Sequence, residues 1–480
     1  MSAKKNTLYN MAYRVFSIFL PLVTAPYLSR TVGQEGVGLY SYAWNLSYVF
    51  VLIGMLGLEN YGVRAISQSR DRQSTLDATF SEVYRMQCTV ALPTLLLWLV
   101  YVFAVAGQER VISFSLTMMS VSCLCNLDWC LMGLDLFRPI ALRNTFVKLL
   151  AAACVFLFIH SAEDLWVYGF AWSAATLLGC VLSAMSLRGR VHLVPVSMKS
   201  VLSHFRPCLM LFVSVLAVSI YRTMDKVMVG AIAGMAQNGL YENAEKIVYC
   251  LSGFISAFGT VMLPRASHLL KKGRQAEVFR SMDLSMHIIL GMTCAMAFGL
   301  AAVSDRFIPL FYGEAFTGSI RLIIPLGFTL VMIGWANVVR TQWILPSNQD
   351  RIVIRSVVSG AMVNLAANSL LIPRMGAMGA VIGTLLAEGT VPVVQYLHLK
   401  RILPYGTYLK TLSLYIIPGF VMVCLVRWIS PLLPFHGWGN VALCVLAGAI
   451  SYGLGCLVLW HVTGASILQY GRQLLSSKRR

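Results

Sequence analysis

The chain has 480 residues, 58% of them hydrophobic and 12% charged, and its mean hydropathy is +0.72. A soluble chain of this size carries roughly a quarter charged residues, so the composition excludes an ordinary water-soluble enzyme. The formal charge of +19 does not indicate nucleic-acid binding either, because that needs a basic face on a folded polar domain and so apolar a chain has none to offer.

The opening MSAKKNTLYN is short and basic and runs straight into an apolar stretch, which reads as an uncleaved first membrane helix. Apolar runs of about 21 to 30 residues, enough to cross a bilayer with tilt, fall at 8–30, 38–62, 83–106, 111–134, 140–160, 164–187 and 204–233. Seven more lie at 240–264, 282–303, 319–346, 351–372, 376–398, 408–430 and 438–463. The expected fold is therefore an all-α polytopic membrane protein of about fourteen transmembrane helices.

Orientation follows from the cations, which collect in cytoplasmic loops. With the amino terminus inside, the inner set holds Lys4 and Lys5, then Arg64, Arg70, Arg72 and Arg85, then Arg138, Arg143 and Lys148, then Arg188, Arg190, Lys199 and Arg206. The pattern continues through Lys271 and Arg355 to the basic tail, whereas the outer set is only Arg30, Arg110, Arg306, Arg321 and Arg374. Both termini are expected in the cytoplasm. Gly38-Leu39-Tyr40 with Ala43 recurs as Gly239-Leu240-Tyr241 with Ala244, at the starts of the second and eighth spans. A repeat of six spans implies two pseudo-symmetric six-helix bundles, 1–200 and 201–400, followed at 401–480 by two added helices and a basic cytoplasmic tail.

Removing the loop cations leaves Arg14, Arg222, Lys226, Lys246, Arg340 and Arg427 in or at the edges of spans. A charge at a helix centre costs about 2.5–3.5 kcal/mol on insertion scales, so several together imply pairing or a wet cavity. Arg222, Asp225 and Lys226 share one helical face, where Asp225 neutralises only one neighbour; Glu242 and Lys246 are spaced to pair, leaving Glu245 as a further acid. Arg14, about 9 Å into its span, either lines a cavity or snorkels to the headgroups. Arg340 and Arg427 lie nearer span ends, where snorkelling is the simpler reading. Asp128, Asp225, Glu245 and Glu388 are the candidates for H⁺ or Na⁺ coupling, and Asp135 is a loop acid beside Arg138.

Cys123, Cys125 and Cys130 beside Asp128 lack paired spacing and a nearby histidine, and the other cysteines are scattered through apolar runs. Neither a metal site nor disulfides are expected, and no catalytic motif or cofactor-binding pattern is present. Prolines 21, 26, 93, 207, 325, 392 and 418 in or at the ends of spans favour kinked helices.

Two blocks carry a family resemblance. The first runs from Asn10 through Pro26-Tyr27-Leu28-Ser29-Arg30 and Gly36-Val37-Gly38-Leu39-Tyr40 to Gly57-Leu58 and Gly62-Val63-Arg64; the second from Asp225-Lys226-Val227-Met228-Val229-Gly230 through Gly239-Leu240-Tyr241, Ala244 and Lys246-Ile247 to Pro264-Arg265. They resemble the Wzx-type polysaccharide flippases of the multidrug/oligosaccharidyl-lipid/polysaccharide exporter superfamily. The resemblance implies a non-enzymatic flippase in a bacterial plasma membrane, carrying an undecaprenyl-pyrophosphate-linked oligosaccharide to the outer leaflet by alternating access for capsule, O-antigen or exopolysaccharide synthesis. Membrane lipids, a polysaccharide polymerase and chain-length proteins are its implied partners. On this reading Arg14, Arg222, Lys226, Lys246 and Arg340 form a cationic cavity that receives the pyrophosphate and nearby sugars. A multidrug or cation antiporter of the same superfamily, and a membrane polymerase or ligase of lipid-linked glycans, are the alternatives. The first would centre acids in its cavity, and the second needs a large catalytic external loop that this chain lacks.

Overall fold

The computed structural model describes residues 3–434 and 437–463; the side chains before residue 20 and those of 21, 213–215, 217, 218, 220 and 221 lie outside the description, Arg14 among them. The described residues contain helices and connecting segments but no strand, and they form two compact units, Met1–Gly239 and Leu240–Arg480. Each of the fourteen expected spans has a helical counterpart. Twelve described stretches are long and apolar enough to cross a membrane, with Leu22–Ser69 taken as one of them.

The first unit opens with α1 (Ala3–Met55), which carries the first two expected spans and is broken only at Gly33. There φ is 69°, open to glycine because it lacks a Cβ, so the expected loop shrinks to a one-residue break. The second span stops at Met55 rather than at 62, because Leu56 (φ 40°) and Gly57 (φ 73°) turn left-handed and end the helix. The chain restarts as α2 (Leu58–Ser69), which buries Leu58, Gly62 and Ile66 at four-residue spacing. α3 (Gln73–Val100) begins ten residues before the apolar run, and a π turn, Tyr101–Val105, continues it. The fourth expected span is three short helices, α4 (Arg110–Ser115), α5 (Thr117–Cys125) and α6 (Asp128–Gly133). Gly62 lets α2 sit on α6, since a Cβ there would come 2.6 Å from the Trp129 ring. The unit continues with α7 (Phe137–Phe158), α8 (Leu165–Ser186), the short α9 (Met198–Ser203) and α10 (Phe205–Ala233), which packs on α1 and α2.

The glycine echo has a packing cause. A Cβ on Gly38 would come 1.7 Å from the Met235 carbonyl oxygen, and one on Gly239 would come 1.9 Å from that of Gln34. The Asn238 side-chain amide donates to the Gly38 carbonyl at 2.8 Å across the same crossing. Backbone touches backbone here, which only two glycines permit.

α11 (Met235–Lys271) leads into the second unit, followed by α12 (Gln275–Tyr312), α13 (Ser319–Val339), α14 (Asp350–Met375), α15 (Ala377–Leu399), α16 (Tyr405–Ile429) and α17 (Trp438–Thr463). At 37 and 38 residues, α11 and α12 are each about 56 Å long, well beyond a hydrocarbon core of about 30 Å, so their polar ends project from it. α14 and α15 form a hairpin closed by small residues. A Cβ on Gly379 would meet the Leu371 backbone at 2.5 Å, and one on Gly383 the Asn368 amide oxygen at 2.1 Å. α16 and α17 pack on α12, where Tyr415 meets His287 at 2.9 Å and the Tyr452 hydroxyl donates to the Gly291 carbonyl at 2.8 Å.

Candidate functional site

In the first unit the polar interior centres on Asp128 at the start of α6. Arg143 of α7 grips it bidentately, with Nη1 to Oδ1 at 2.8 Å and Nη2 to Oδ2 at 2.7 Å. The same guanidinium donates to the Gly179 carbonyl of α8 at 2.8 Å and to the Asn144 side chain at 2.7 Å, and it contacts the Ser183 hydroxyl. Ser183 in turn donates to Asp128 at 2.6 Å. One ion pair thus ties three helices together inside an apolar bundle, with only 9% of the arginine side chain and 18% of the aspartate exposed. Arg143, expected in a cytoplasmic loop with Lys148, instead lies inside a helix. Its signal was present, since it falls three residues into the apolar run that begins at 140. Asp135, expected beside Arg138, pairs with Arg70.

On α10, Asp225 is buried at 4% exposure, Lys226 half-buried and Arg222 exposed, and all three take part in polar or electrostatic contacts. Their spacing at 222, 225 and 226 holds them on one face of the helix.

In the second unit Lys246 meets Glu242 at 3.3 Å, the pair anticipated from their four-residue spacing. Glu245 and Glu388 are both half-buried. The Tyr241 hydroxyl reaches that of Thr384 at 3.0 Å, so Glu245 on α11 and Glu388 on α15 each stand one helical turn beyond this contact. Tyr312 donates to the Asn243 carbonyl at 3.2 Å in the same neighbourhood. Arg340 is exposed at the start of a π turn, Arg340–Ile344, whose next residues Thr341 and Gln342 are buried. Such π turns recur at functional positions in helices. Arg427 donates to the Ala301 carbonyl at 2.9 Å, a structural use of a cation near a helix end.

The structure therefore joins Lys246 to Glu242 and aligns Arg222, Asp225 and Lys226. It engages Asp128 with Arg143, a partner absent from the expected set. Among the described residues no group of histidine, cysteine and acidic side chains has the arrangement of a metal site. The arrangement offers paired and clustered charges along membrane helices, suited to handling a charged, hydrated cargo.

Residues 3–270 match the family described as "Polysaccharide biosynthesis protein". A protein of Escherichia coli (strain K12) named as an O-antigen transporter is 20% identical over 406 residues, covering 84% of this chain and 97% of its own length. A flippase of Haloferax volcanii named for low-salt glycan biosynthesis, Agl15, is 26% identical over 180 residues, covering 37% of this chain and 38% of its own. Among solved structures, the lipid II flippase MurJ in an inward closed conformation superposes with a TM-score of 0.76 at 14% identity, covering 96% of this chain and all of that one. An inward-facing multidrug transporter of the MATE family gives 0.60 at 14% identity, covering 84% and 94%. Those two structures support the fold. The chain belongs to the polysaccharide biosynthesis protein family, in keeping with the Wzx-type resemblance of its two sequence blocks.

Proposed function

We propose that this flippase moves an undecaprenyl-pyrophosphate-linked oligosaccharide from the cytoplasmic to the outer leaflet of a bacterial inner membrane by alternating access. The observation that carries the reading is the Arg222–Asp225–Lys226 face, two cations and one buried acid on a single membrane helix of a polysaccharide-family protein. A pyrophosphate is a polyanion. Two unit charges 4 Å apart attract by about 4 kcal/mol at the effective dielectric of a protein surface, against about 1 kcal/mol in water. Arg14, Lys246 and Arg340 complete the proposed cationic lining. Asp128, Asp225, Glu245 and Glu388 are the groups through which H⁺ or Na⁺ would couple. The reading takes 1–200 and 201–400 as the moving bundles, 401–480 as peripheral helices, both termini as cytoplasmic, and a polymerase with its chain-length protein as downstream partners. The E. coli and Haloferax relatives named for O-antigen transport and glycan flipping support the cargo class.

The test is polysaccharide export in cells lacking their own flippase and complemented with this chain, Arg222→Ala, Lys226→Ala or the double variant, at matched expression. The reading predicts export by the wild type and loss in the double variant. Normal export by the double variant would remove the cationic face from the mechanism.

A further inference from the structure

The connection between α8 and α10 is tied down along α3. The Gln73 amide donates to the Arg190 carbonyl at 2.9 Å, Asp77 accepts from the His192 amide at 2.8 Å, Ser81 accepts from the Val194 amide at 2.9 Å, and Arg85 donates to the Val196 carbonyl at 3.1 Å. The α3 partners recur every four residues and the strap partners every two. Four helical residues advance about 6 Å and two extended residues about 6.6 Å, so the two registers keep step over all four contacts. This explains why α3 starts before its apolar run: its polar first turns are a ladder for the strap.

With those backbone groups already engaged, what the strap presents outward is side chains. Arg188, Arg190, Lys199 and Arg206 are exposed, and residues 187–210 contain no aspartate or glutamate. Large apolar side chains are interleaved with them: Leu193 is 65% exposed, Met198 61%, Leu202 56% and Phe205 41%. The segment follows α8, whose stretch Ala162–Ser186 is long and apolar enough to cross a membrane, and runs into the first turns of the 29-residue α10, a position expected at the end of a span. Cations mixed with exposed apolar side chains at that level match an anionic interface, with charge for the headgroups and apolar groups for the boundary below them.

We infer that Leu187–Met210 is a docking surface for anionic phospholipid headgroups, held in shape by the α3 ladder. The inference is independent of the cargo. The test uses the full chain in detergent, exposed to phosphatidylglycerol and phosphatidylcholine of identical acyl chains, with retained lipid read by native mass spectrometry. The wild type should retain phosphatidylglycerol preferentially. Arg188→Gln/Lys199→Gln/Arg206→Gln should weaken that preference by on the order of a hundredfold at low salt, taking the roughly 1 kcal/mol that each cation contributes near an anionic surface. The matching triple lysine and arginine exchange should keep it. If the glutamine variant does not fold, raising ionic strength to about 1 M, where the screening length falls to about 3 Å, should abolish the wild-type preference. Equal retention of the two lipids by the wild type, an unchanged preference in the glutamine variant, or a preference indifferent to salt overturns the inference. So does binding of polyglutamate at this segment in place of lipid.

Discussion

Removing either member of the Asp128–Arg143 pair should cost far more than removing both. Arg143→Ala leaves a carboxylate at 18% exposure with Ser183 as its remaining hydrogen-bond donor of those described above; Asp128→Ala leaves a guanidinium at 9% exposure facing carbonyl and amide oxygens. Stranding one charge of a buried pair costs about 3–5 kcal/mol, and the residual exposure of Asp128 sets the expectation near the lower end, about 3 kcal/mol. For a unit of this size each kcal/mol lowers the midpoint by about 2–4 °C, so either single variant should melt roughly 6–12 °C below the wild type. Asp128→Leu/Arg143→Met removes both charges and keeps the volume, and should return to within about 1 kcal/mol of the wild type. The assay is thermal unfolding of detergent-purified protein, completed as a double-mutant cycle. Additive losses, with the double variant as unstable as the two singles summed, would refute the coupling. The same double variant assayed for transport also separates stability from ion coupling, because it retains the fold without the acid.

Gly38→Ala should prevent stable accumulation of the protein, since the new carbon would sit 1.7 Å from a backbone oxygen that cannot rotate away. Gly299→Ala, with nothing within 4 Å, should leave expression and melting near wild type or slightly improved. Gly383→Ala should destabilise through the Asn368 oxygen 2.1 Å away, and adding Asn368→Ala should recover much of the loss in the same melting assay. Glu242→Ala should change stability by less than about 1 kcal/mol, because it removes an i,i+4 helix pair, so any large loss of export in that variant reports on Lys246 in transport rather than on folding.

The helices were legible from hydropathy because each apolar run had to satisfy its own backbone in lipid, and α8, α15 and α17 lie close to their expected limits. The breaks were not. Leu56 and Gly57 interrupt a run with no proline to mark it, Glu59 just beyond them being a single charge near the expected span end, and α4, α5 and α6 divide a stretch whose average hydropathy is that of one span. The Glu242–Lys246 pair was visible because both partners lie on one helix. Arg143 was missed because its partner lies fifteen residues away on another element, and a cation near a span end reads as topology until a tertiary contact gives it another use. The Gln73, Asp77, Ser81 and Arg85 ladder was written in the chain at regular spacing, but its meaning depends on a strap more than a hundred residues later.

Flipping itself is the most direct test. Purified protein reconstituted into liposomes with a polyprenyl-pyrophosphate oligosaccharide on the inner leaflet should expose the sugar to a membrane-impermeant glycosidase added outside, and Arg222→Ala/Lys226→Ala should slow this to the rate of protein-free liposomes. Wild-type exposure no faster than in protein-free liposomes, accompanied by uptake of lipophilic cations, would contradict the account.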